Sequence, residues 1–578
     1  MPNMNASPAS LPEPRVKPTP GKAPARGWSF FIFGLLFLSL VQAAERPPAA
    51  AVASAHPAAT RAGLEILQAG GNAFDAAVAV SAALAVVEPY SSGLGGGGFW
   101  LLHRTRDGYE VMIDGREKAP LAASRDMYLD SKGEPVKGAS VDGPLAAGIP
   151  GEPAALAYLA KHYGRLPLKQ SLQPAIRLAE EGFKVTPHYR RMAAFRLDVL
   201  RASPGAAKQF LLNSQVPPVG HIIRQPDLAK TLRALALKGK AGFYEGEVAQ
   251  RLVQESRRHG GIWSLADFRQ YRVKERKPVV GRYRGWRIVS AAPPSSGGVV
   301  LLEMLNMLSA KDLNGLKPAD RVHYLVEVMR RAYADRARWL GDADYVQMPL
   351  QRLMSMAYAR QLAKSIVMNK ATPSSSLDSV RPEGHDTTHF SILDKDGNRV
   401  AATLSINYPF GSGFVAEGTG VLFNDEMDDF SIKPGVANVY GLVGAEANAI
   451  APGKRMLSSM SPTFIENPDH VGILGTPGGS RIITMVLLGV LEAVEGRNVE
   501  TWVSRPRFHH QYLPDVIQVE PGAFDAGLKA ALERKGHVLD VKRRPWGNMQ
   551  AIHWDRREQR VEAASDPRGM GAAQVEPH

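Results

Sequence analysis

Asp386-Thr387-Thr388-His389-Phe390-Ser391 is the stretch on which the reading of this chain turns. Upstream of it, residues 371–384 are rich in Ser, Pro and Gly and read as an exposed loop. Downstream, from 388 to 406, apolar residues alternate on either side of Lys395-Asp396-Gly397-Asn398, the pattern of a β-hairpin. A threonine thus stands where a loop enters a core strand. A cut between Asp386 and Thr387 would make Thr387 an N-terminal residue with both a hydroxyl and a free α-amine. An α-amine titrates at about 7.7–8.0, so a useful fraction is neutral near neutral pH, unlike lysine. Such a threonine is a nucleophile that carries its own base.

Three further stretches follow in order: Phe423-Asn424-Asp425-Glu426-Met427-Asp428-Asp429-Phe430, Leu457-Ser458-Ser459-Met460-Ser461-Pro462 and Gly475-Thr476-Pro477-Gly478-Gly479-Ser480-Arg481. With the Thr387 stretch they closely resemble the γ-glutamyltranspeptidase (glutathione hydrolase) family of N-terminal-nucleophile hydrolases. The resemblance runs from His56-Pro57 to Ala564-Ser565-Asp566-Pro567-Arg568, nearly the whole mature chain.

The chain has 578 residues, enough for about four domains at roughly 150 residues each. Its 44% apolar and 22% charged residues are ordinary for a globular protein. A net charge of +14 raises the question of nucleic acid. No zinc-ligand spacing, aromatic-basic RNA motif or long Lys/Arg run accompanies it, so the charge reads as dispersed and no nucleic-acid partner is expected. At the N-terminus, Arg15, Lys17, Lys22 and Arg26 precede an apolar run at 30–41 and then Gln42-Ala43-Ala44. This is the layout of a signal peptide over 1–43, cleaved after Ala43, for a periplasmic or secreted protein. The apolar run is shorter than the ~20 residues of a membrane span, and an uncleaved anchor is the alternative. Cysteine is absent, which removes disulfide and thiol chemistry.

Along the mature chain, 58–69 reads as an amphipathic helix and 73–87 as a buried one closing at Glu88-Pro89. Gly93, Gly95 and Gly98 match a dinucleotide fingerprint literally. That fingerprint needs strand, glycines, helix, whereas here the order is helix, glycines, strand; the run reads as a close backbone approach in the core. Strands are expected at 99–103 and 109–113, a mainly helical region at 153–363, and one strand at 282–290. After Thr387 strands are expected at 388–393, 400–406, 471–475, 516–519, 537–543 and 551–554, with a helix at 479–491. The mixture of strands in both halves with helices around them is an α/β (α+β) pattern of packed layers. The resemblance implies the four-layer αββα sandwich, cut into a large subunit (44–386) and a small one (387–578) that stay together as a heterodimer.

The resemblance also assigns roles. Thr387 is implied as the nucleophile, both for its own maturation at Asp386-Thr387 and for attack on a γ-glutamyl amide. The γ-glutamyl-enzyme would pass to water or to the amine of an amino acid or dipeptide, with glutathione and other γ-glutamyl compounds as donors. Ser405 stands where many relatives have a threonine that hydrogen-bonds the nucleophile. Gly478 and Gly479 precede a helix start and are implied as the oxyanion hole, where backbone N–H groups point outward. Arg116, in Asp114-Gly115-Arg116-Glu117-Lys118-Ala119-Pro120, is implied to bind the substrate α-carboxylate with Ser458 and Ser459. Glu426, Asp429 and Asn407 are implied to hold the α-ammonium, and 434–441, with Tyr440, resembles the family's lid loop. No cofactor and no metal are expected: the spacing of Glu426, Asp428 and Asp429 is not diagnostic, and His509-His510 reads as packing. Two other readings stand beside this one: a cephalosporin (glutaryl) acylase on the same scaffold, and an unprocessed, inactive periplasmic binding homologue.

Overall fold

A computed structural model describes residues 46–377 and 387–577. The stretch read as a signal peptide, and residues 378–386 of the scissile loop and junction, Asp386 included, lie outside the described residues.

The hairpin expected at 388–406 forms, as Thr388–Leu393 and Arg399–Ser405, with Thr388 opposite Leu404 and Leu393 opposite Arg399. It occupies the middle of a seven-stranded antiparallel sheet. From edge to edge this sheet runs Ala572–Pro577, Ala49–Ser54, Thr388–Leu393, Arg399–Ser405, Gly97–Arg104, Tyr109–Gly115 and Lys274–Arg276. A second antiparallel sheet, of six strands, runs Arg560–Ser565, Gln550–Asp555, His470–Gly475, Thr463–Glu466, Trp286–Ser290 and Val279–Tyr283.

Side-chain alternation explains how these sheets stack. Along a strand, successive residues face opposite sides. In the first sheet Val52, Trp100, Leu102, Phe390, Ile392, Val400 and Ala402 point into one core, shared with the helices Pro57–Gln68 and Ala73–Val87. The intervening Ala51, Ala53, Phe99, Leu101, Leu393 and Ala401 point into another, shared with Ile288, Phe464, Ile473 and Ile552 of the second sheet. Helices Gly297–Leu308 and Ile482–Val494 cover the far side of that second sheet. The order is helix, sheet, sheet, helix, as expected. Lying between two packed layers, Thr388–Leu393 and Arg399–Ser405 are buried at every position, and their polar side chains find partners: Thr388 with Glu88, His389 with Thr403 at 2.8 Å, and Arg399 with Glu466 at 2.9 Å.

The helix Ala73–Val87 is buried along its whole length, which its Ala/Val composition anticipates. Asn72 caps it and Asp75 returns the bond in a capping box. It stops at Glu88 because Pro89 disfavours helical backbone before it.

Three expectations are corrected. The single strand at 282–290 is a hairpin, Val279–Tyr283 and Trp286–Ser290, turned by Arg284 and Gly285 with φ of 46° and 85°. Two successive residues with positive φ make the turn whose twist suits a two-residue hairpin loop. The helix expected from 479 begins as a 3-10 turn at Gly479–Arg481 and is α-helical over Ile482–Val494. Residues 371–374 are not loose: Ala371 and Ser374 are buried. Their backbone is tied by Thr372 N–H to Glu327 (3.0 Å) and Ser374 N–H to Asp515 (2.6 Å).

Candidate active site

The sheet order places Thr387 one residue before a strand paired on both sides, with Ala49–Ser54 on one flank and Arg399–Ser405 on the other. The next residue is fixed as well: Thr388 Oγ1 donates to the buried Glu88 carboxylate at 2.8 Å. Thr387 is 7% exposed, enough to open onto two hollows that meet at it.

The smaller hollow has a volume of about 20 Å³ and is lined by Arg116, Thr387, Ser405, Asn407, Glu426, Asp429, Tyr440, Ser458, Ser459 and Gly479. These residues lie far apart in sequence. Gly478 lines the second hollow, a cleft of about 290 Å³ that also contains Thr387.

The walls of the smaller hollow are highly charged. Arg116 follows the end of the strand Tyr109–Gly115 and is wholly buried. Its guanidinium forks between Glu426 and Asp429, with Glu117 at 3.5 Å and the Met456 carbonyl at 3.4 Å. Burial works against the charge on Arg116, but Glu426, Asp429 and Glu117 outweigh it and raise its pKa. Burial pushes the Glu426 carboxyl up to about 7; Arg116 pulls it down, Asp429 pushes it up, and Ser405 bonds to it. Burial pushes the Glu117 carboxyl well above the usual carboxylate range, Glu426 adds to the rise, and Arg116 opposes it.

Ser405 ends its strand and accepts from the Asn407 N–H at 2.7 Å. Asn407 has φ of +75°, and its amide donates to the Asp425 carbonyl at 3.0 Å. That turn brings Ser405 and Asn407 together on the wall of the hollow. Ser459 accepts from Arg336 at 3.2 Å, and Arg336 also donates to Ser296 at 2.9 Å. Ser458 Oγ accepts from the Met460 N–H at 3.1 Å.

Tyr440 closes the hollow. Its hydroxyl donates to the Asn407 carbonyl, and Gln511 donates to the carbonyls of Tyr440 and Gly441 at 3.2 and 3.1 Å. The ring lies so close to Gly479 that a Cβ there would sit 2.5 Å from Tyr440 Cδ1. Gly478 and Gly479 have φ of +142° and +55°, backbone that favours glycine. Among the described residues neither N–H bonds a backbone carbonyl, so both remain donors at the edge of the Thr387 hollows.

The acids that resembled a metal site are spent on protein partners. Asp428 accepts from Ser140 (2.7 Å) and from the Val439 N–H (2.8 Å), and Asp429 accepts from Arg116 and from Asn438 (3.2 Å). His509 and His510 are buried and bonded to Thr484 (2.7 Å) and Asp515 (3.3 Å), in keeping with packing. Sequence reasoning missed Glu117, Arg336 and Glu88. Glu117 was adjacent to a singled-out arginine and Glu88 ended a predicted helix, but neither position carried a chemical pattern. Arg336 lies inside the helix Pro318–Trp339, and nothing local marks it.

The arrangement provides a hydroxyl at a strand mouth, backbone donors beside it, and one guanidinium and two carboxyl groups lining the same hollow. It suits an acyl transfer on a substrate whose far end is a zwitterion. Comparison with known proteins agrees. The family model described as Gamma-glutamyltranspeptidase matches residues 59–576. The chain is 45% identical over 511 residues to a glutathione hydrolase proenzyme of Pseudomonas sp. (strain A14), covering 86% of this chain and 88% of that one. A cephalosporin acylase from Bacillus halodurans superposes with a TM-score of 0.80 at 30% identity, over 92% of this chain and 96% of that one. Helicobacter pylori gamma-glutamyltranspeptidase superposes with a TM-score of 0.55 at 42% identity, over 56% of this chain and 93% of that one.

Proposed function

The chain belongs to the gamma-glutamyltranspeptidase family, and on that premise we propose that it is an exported γ-glutamyl transferase and glutathione hydrolase that matures by cutting itself before Thr387. The observation that carries this reading is the convergence of Arg116, Glu426 and Asp429 on the hollow that Thr387 opens into.

In the precursor, the Thr387 hydroxyl attacks the Asp386 carbonyl, and water cleaves the resulting ester to give 44–386 and 387–578. In the mature enzyme the freed α-amine takes the proton from Thr387 Oγ as it attacks the γ-amide carbon. The N–H groups of Gly478 and Gly479 receive the oxyanion. The leaving amine departs with the proton, and water or a second amine releases the γ-glutamyl group. Ser405 steadies this end of the hollow through Glu426 and Asn407.

The other end recognises the amino-acid head by exchange. Arg116 now rests on Glu426 and Asp429. An entering α-carboxylate takes Arg116, with Ser458 and Ser459 beside it, and the α-ammonium takes Glu426 and Asp429. Each buried charge keeps an opposite partner, so the desolvation cost is not incurred afresh. Among the described residues no helix is long and apolar enough to cross a membrane. A signal peptide over 1–43 and a periplasmic or secreted location complete the proposal.

Glutathione turnover tests the reading: cysteinylglycine and glutamate should appear, and added dipeptide should divert the glutamyl group to a γ-glutamyl peptide. No release of glutamate or transfer product would overturn it.

Arg116→Ala should raise KM for the donor and lower kcat/KM by at least about thirtyfold, the low end of losing one partner of a desolvated pair at about 2–5 kcal/mol. Cleavage into two fragments should persist, because Arg116 sits behind the hollow rather than on the scissile side. An unchanged KM would remove Arg116 from the site.

The Glu426 carboxyl, titrating at about 7, sets a pH dependence. An α-ammonium binds the carboxylate form, and below pH 7 burial keeps a growing fraction protonated. Protonation of the Thr387 α-amine alone should lower donor kcat/KM about tenfold per unit below pH 7; protonation of Glu426 should steepen that limb, and Glu426→Gln should return it to the shallower slope. A wild-type limb no steeper than that of Glu426→Gln between pH 5 and pH 7 would count against Glu426 as the ammonium partner.

A further inference from the structure

A third hollow, of about 610 Å³, lies in the helical layer over the seven-stranded sheet and shares no residue with the two at Thr387. Its volume falls in the ~300–1,000 Å³ range of small-molecule pockets. One wall follows directly from the sequence. In the helix Glu152–His162, Ala154, Ala157, Tyr158 and Lys161 stand at i, i+3, i+4 and i+7, which is one face of a helix. The alanines project no more than a methyl group, so that face leaves space rather than filling it. Leu166 and Leu168 after this helix, Ala236 near the end of the helix Pro226–Lys238, and Val273 complete an apolar lining.

The charged part of the lining has one sign. Lys161, Lys238, Lys240 and Arg272 line the hollow, and no Asp or Glu does. Among the described residues none of these four cations lies within 4 Å of a carboxylate oxygen. His162 stacks on Tyr158 at 4.2 Å and brings no negative charge. The Glu275 carboxylate, beyond Tyr158, takes the hydroxyls of Tyr158 (3.1 Å), Tyr109 (3.2 Å) and Tyr163 rather than a cation of the hollow.

Two of the cations sit together. Lys240 Nζ and an Arg272 guanidinium N–H both donate to one neutral oxygen, the Tyr271 carbonyl, at 2.6 and 2.8 Å. Two positive charges thus meet on one carbonyl with no anion to offset them. Lys240 is partly buried; burial first and Arg272 second push its ammonium down to about 8, with Glu245 opposing. A desolvated cation without a partner is costly, so an anion arriving here is stabilised more than one at an exposed lysine.

We infer that this hollow binds a small amphipathic anion, an unbranched aliphatic chain ending in a carboxylate, with the chain along the alanine face and the carboxylate on Lys240 and Arg272. Lys161 and Lys238, both exposed, add to the positive field at the rim. The four cations line one bounded hollow that also has apolar walls, which favours a single chain over a membrane surface. The inference is independent of the reaction at Thr387.

Isothermal titration of the full chain with octanoate, below its micelle concentration, tests it. Octanol and butyrate are the controls that lack the charge and most of the chain. Octanoate should bind at a single site. Octanol should bind at least about tenfold more weakly, as expected for loss of a charge-assisted hydrogen bond. Butyrate should bind at least about thirtyfold more weakly, because its shorter chain buries fewer methylenes. Lys240→Gln/Arg272→Gln should bring octanoate down to the affinity of octanol, while glutamine at 240 keeps a donor for the Tyr271 carbonyl. Ala157→Leu leaves every charge in place and fills the trough; it should weaken octanoate at least about tenfold. No octanoate binding, equal affinity for octanoate and octanol, or undiminished octanoate binding by the folded variants overturns the inference. Adsorption to phosphatidylglycerol vesicles without octanoate binding would assign the patch to a membrane surface and overturn it too. The wild-type series decides by itself should a variant fail to fold.

Discussion

Thr387→Ala is expected to accumulate as one uncut chain with no γ-glutamyl turnover, the largest effect of any single substitution in this protein. One hydroxyl is asked to perform two attacks, on the Asp386 carbonyl and on the substrate amide, and no neighbour can replace it. Thr388 points its hydroxyl at Glu88, and Ser405 is engaged with Glu426 and Asn407. The site should still fold, because the strand Thr388–Leu393 is held by pairing on both sides and by burial, none of which involves the Thr387 side chain. Thr387→Ser keeps the hydroxyl and should give two bands, more slowly, which separates loss of chemistry from loss of fold. For the wild type, mass spectrometry of the small fragment should find Thr387 at its N-terminus. Wild-type-sized fragments from Thr387→Ala, or a small fragment starting elsewhere, would assign the cleavage to another group.

The hairpin around Lys395-Asp396-Gly397-Asn398 was legible because apolar alternation and turn chemistry agree there. The strand Ala49–Ser54 was not: alanine has low strand preference, and what makes that segment a strand is its place between Ala572–Pro577 and Thr388–Leu393, a contact across most of the chain. The hairpin at 279–290 was half legible, since Arg284 gave no sign of a positive φ. At the site, the residues carried by long motifs converge in space, whereas the structure adds what no motif holds. That Arg116 rests on Glu426 and Asp429, more than 300 positions away, is a property of the fold alone. Resemblance describes Arg116 as a carboxylate binder; the structure shows it also paired with the buried Glu426 and the partly buried Asp429.

That same charge arrangement separates the leading reading from the acylase one, which the scaffold alone does not do, because a cephalosporin acylase superposes on this chain with a TM-score of 0.80. A glutaryl compound has the carbon chain and terminal carboxylate of a γ-glutamyl compound but no α-ammonium. Its carboxylate would draw Arg116 away from Glu426 and Asp429 and offer nothing in return. The buried Glu426 and the partly buried Asp429 would then lack a counter-charge, with the Glu117 carboxyl beside them. Taking up protons relieves this only at a cost, and Tyr440, pinned to Asn407 and packed on Gly479, limits entry of water in place of the ammonium. Sites built around a polar group of the substrate reject analogues lacking it by about 10⁴–10⁵. The wild-type kcat/KM for a γ-glutamyl anilide should exceed that for the glutaryl anilide by that order. Asp429→Asn should narrow the gap most, since it removes one of the two charges that the glutaryl group strands and leaves Asn438 able to keep the position in place. Comparable values for the two anilides on the wild-type enzyme would show that the acids do not read the ammonium, and the acylase reading would then replace the transferase one.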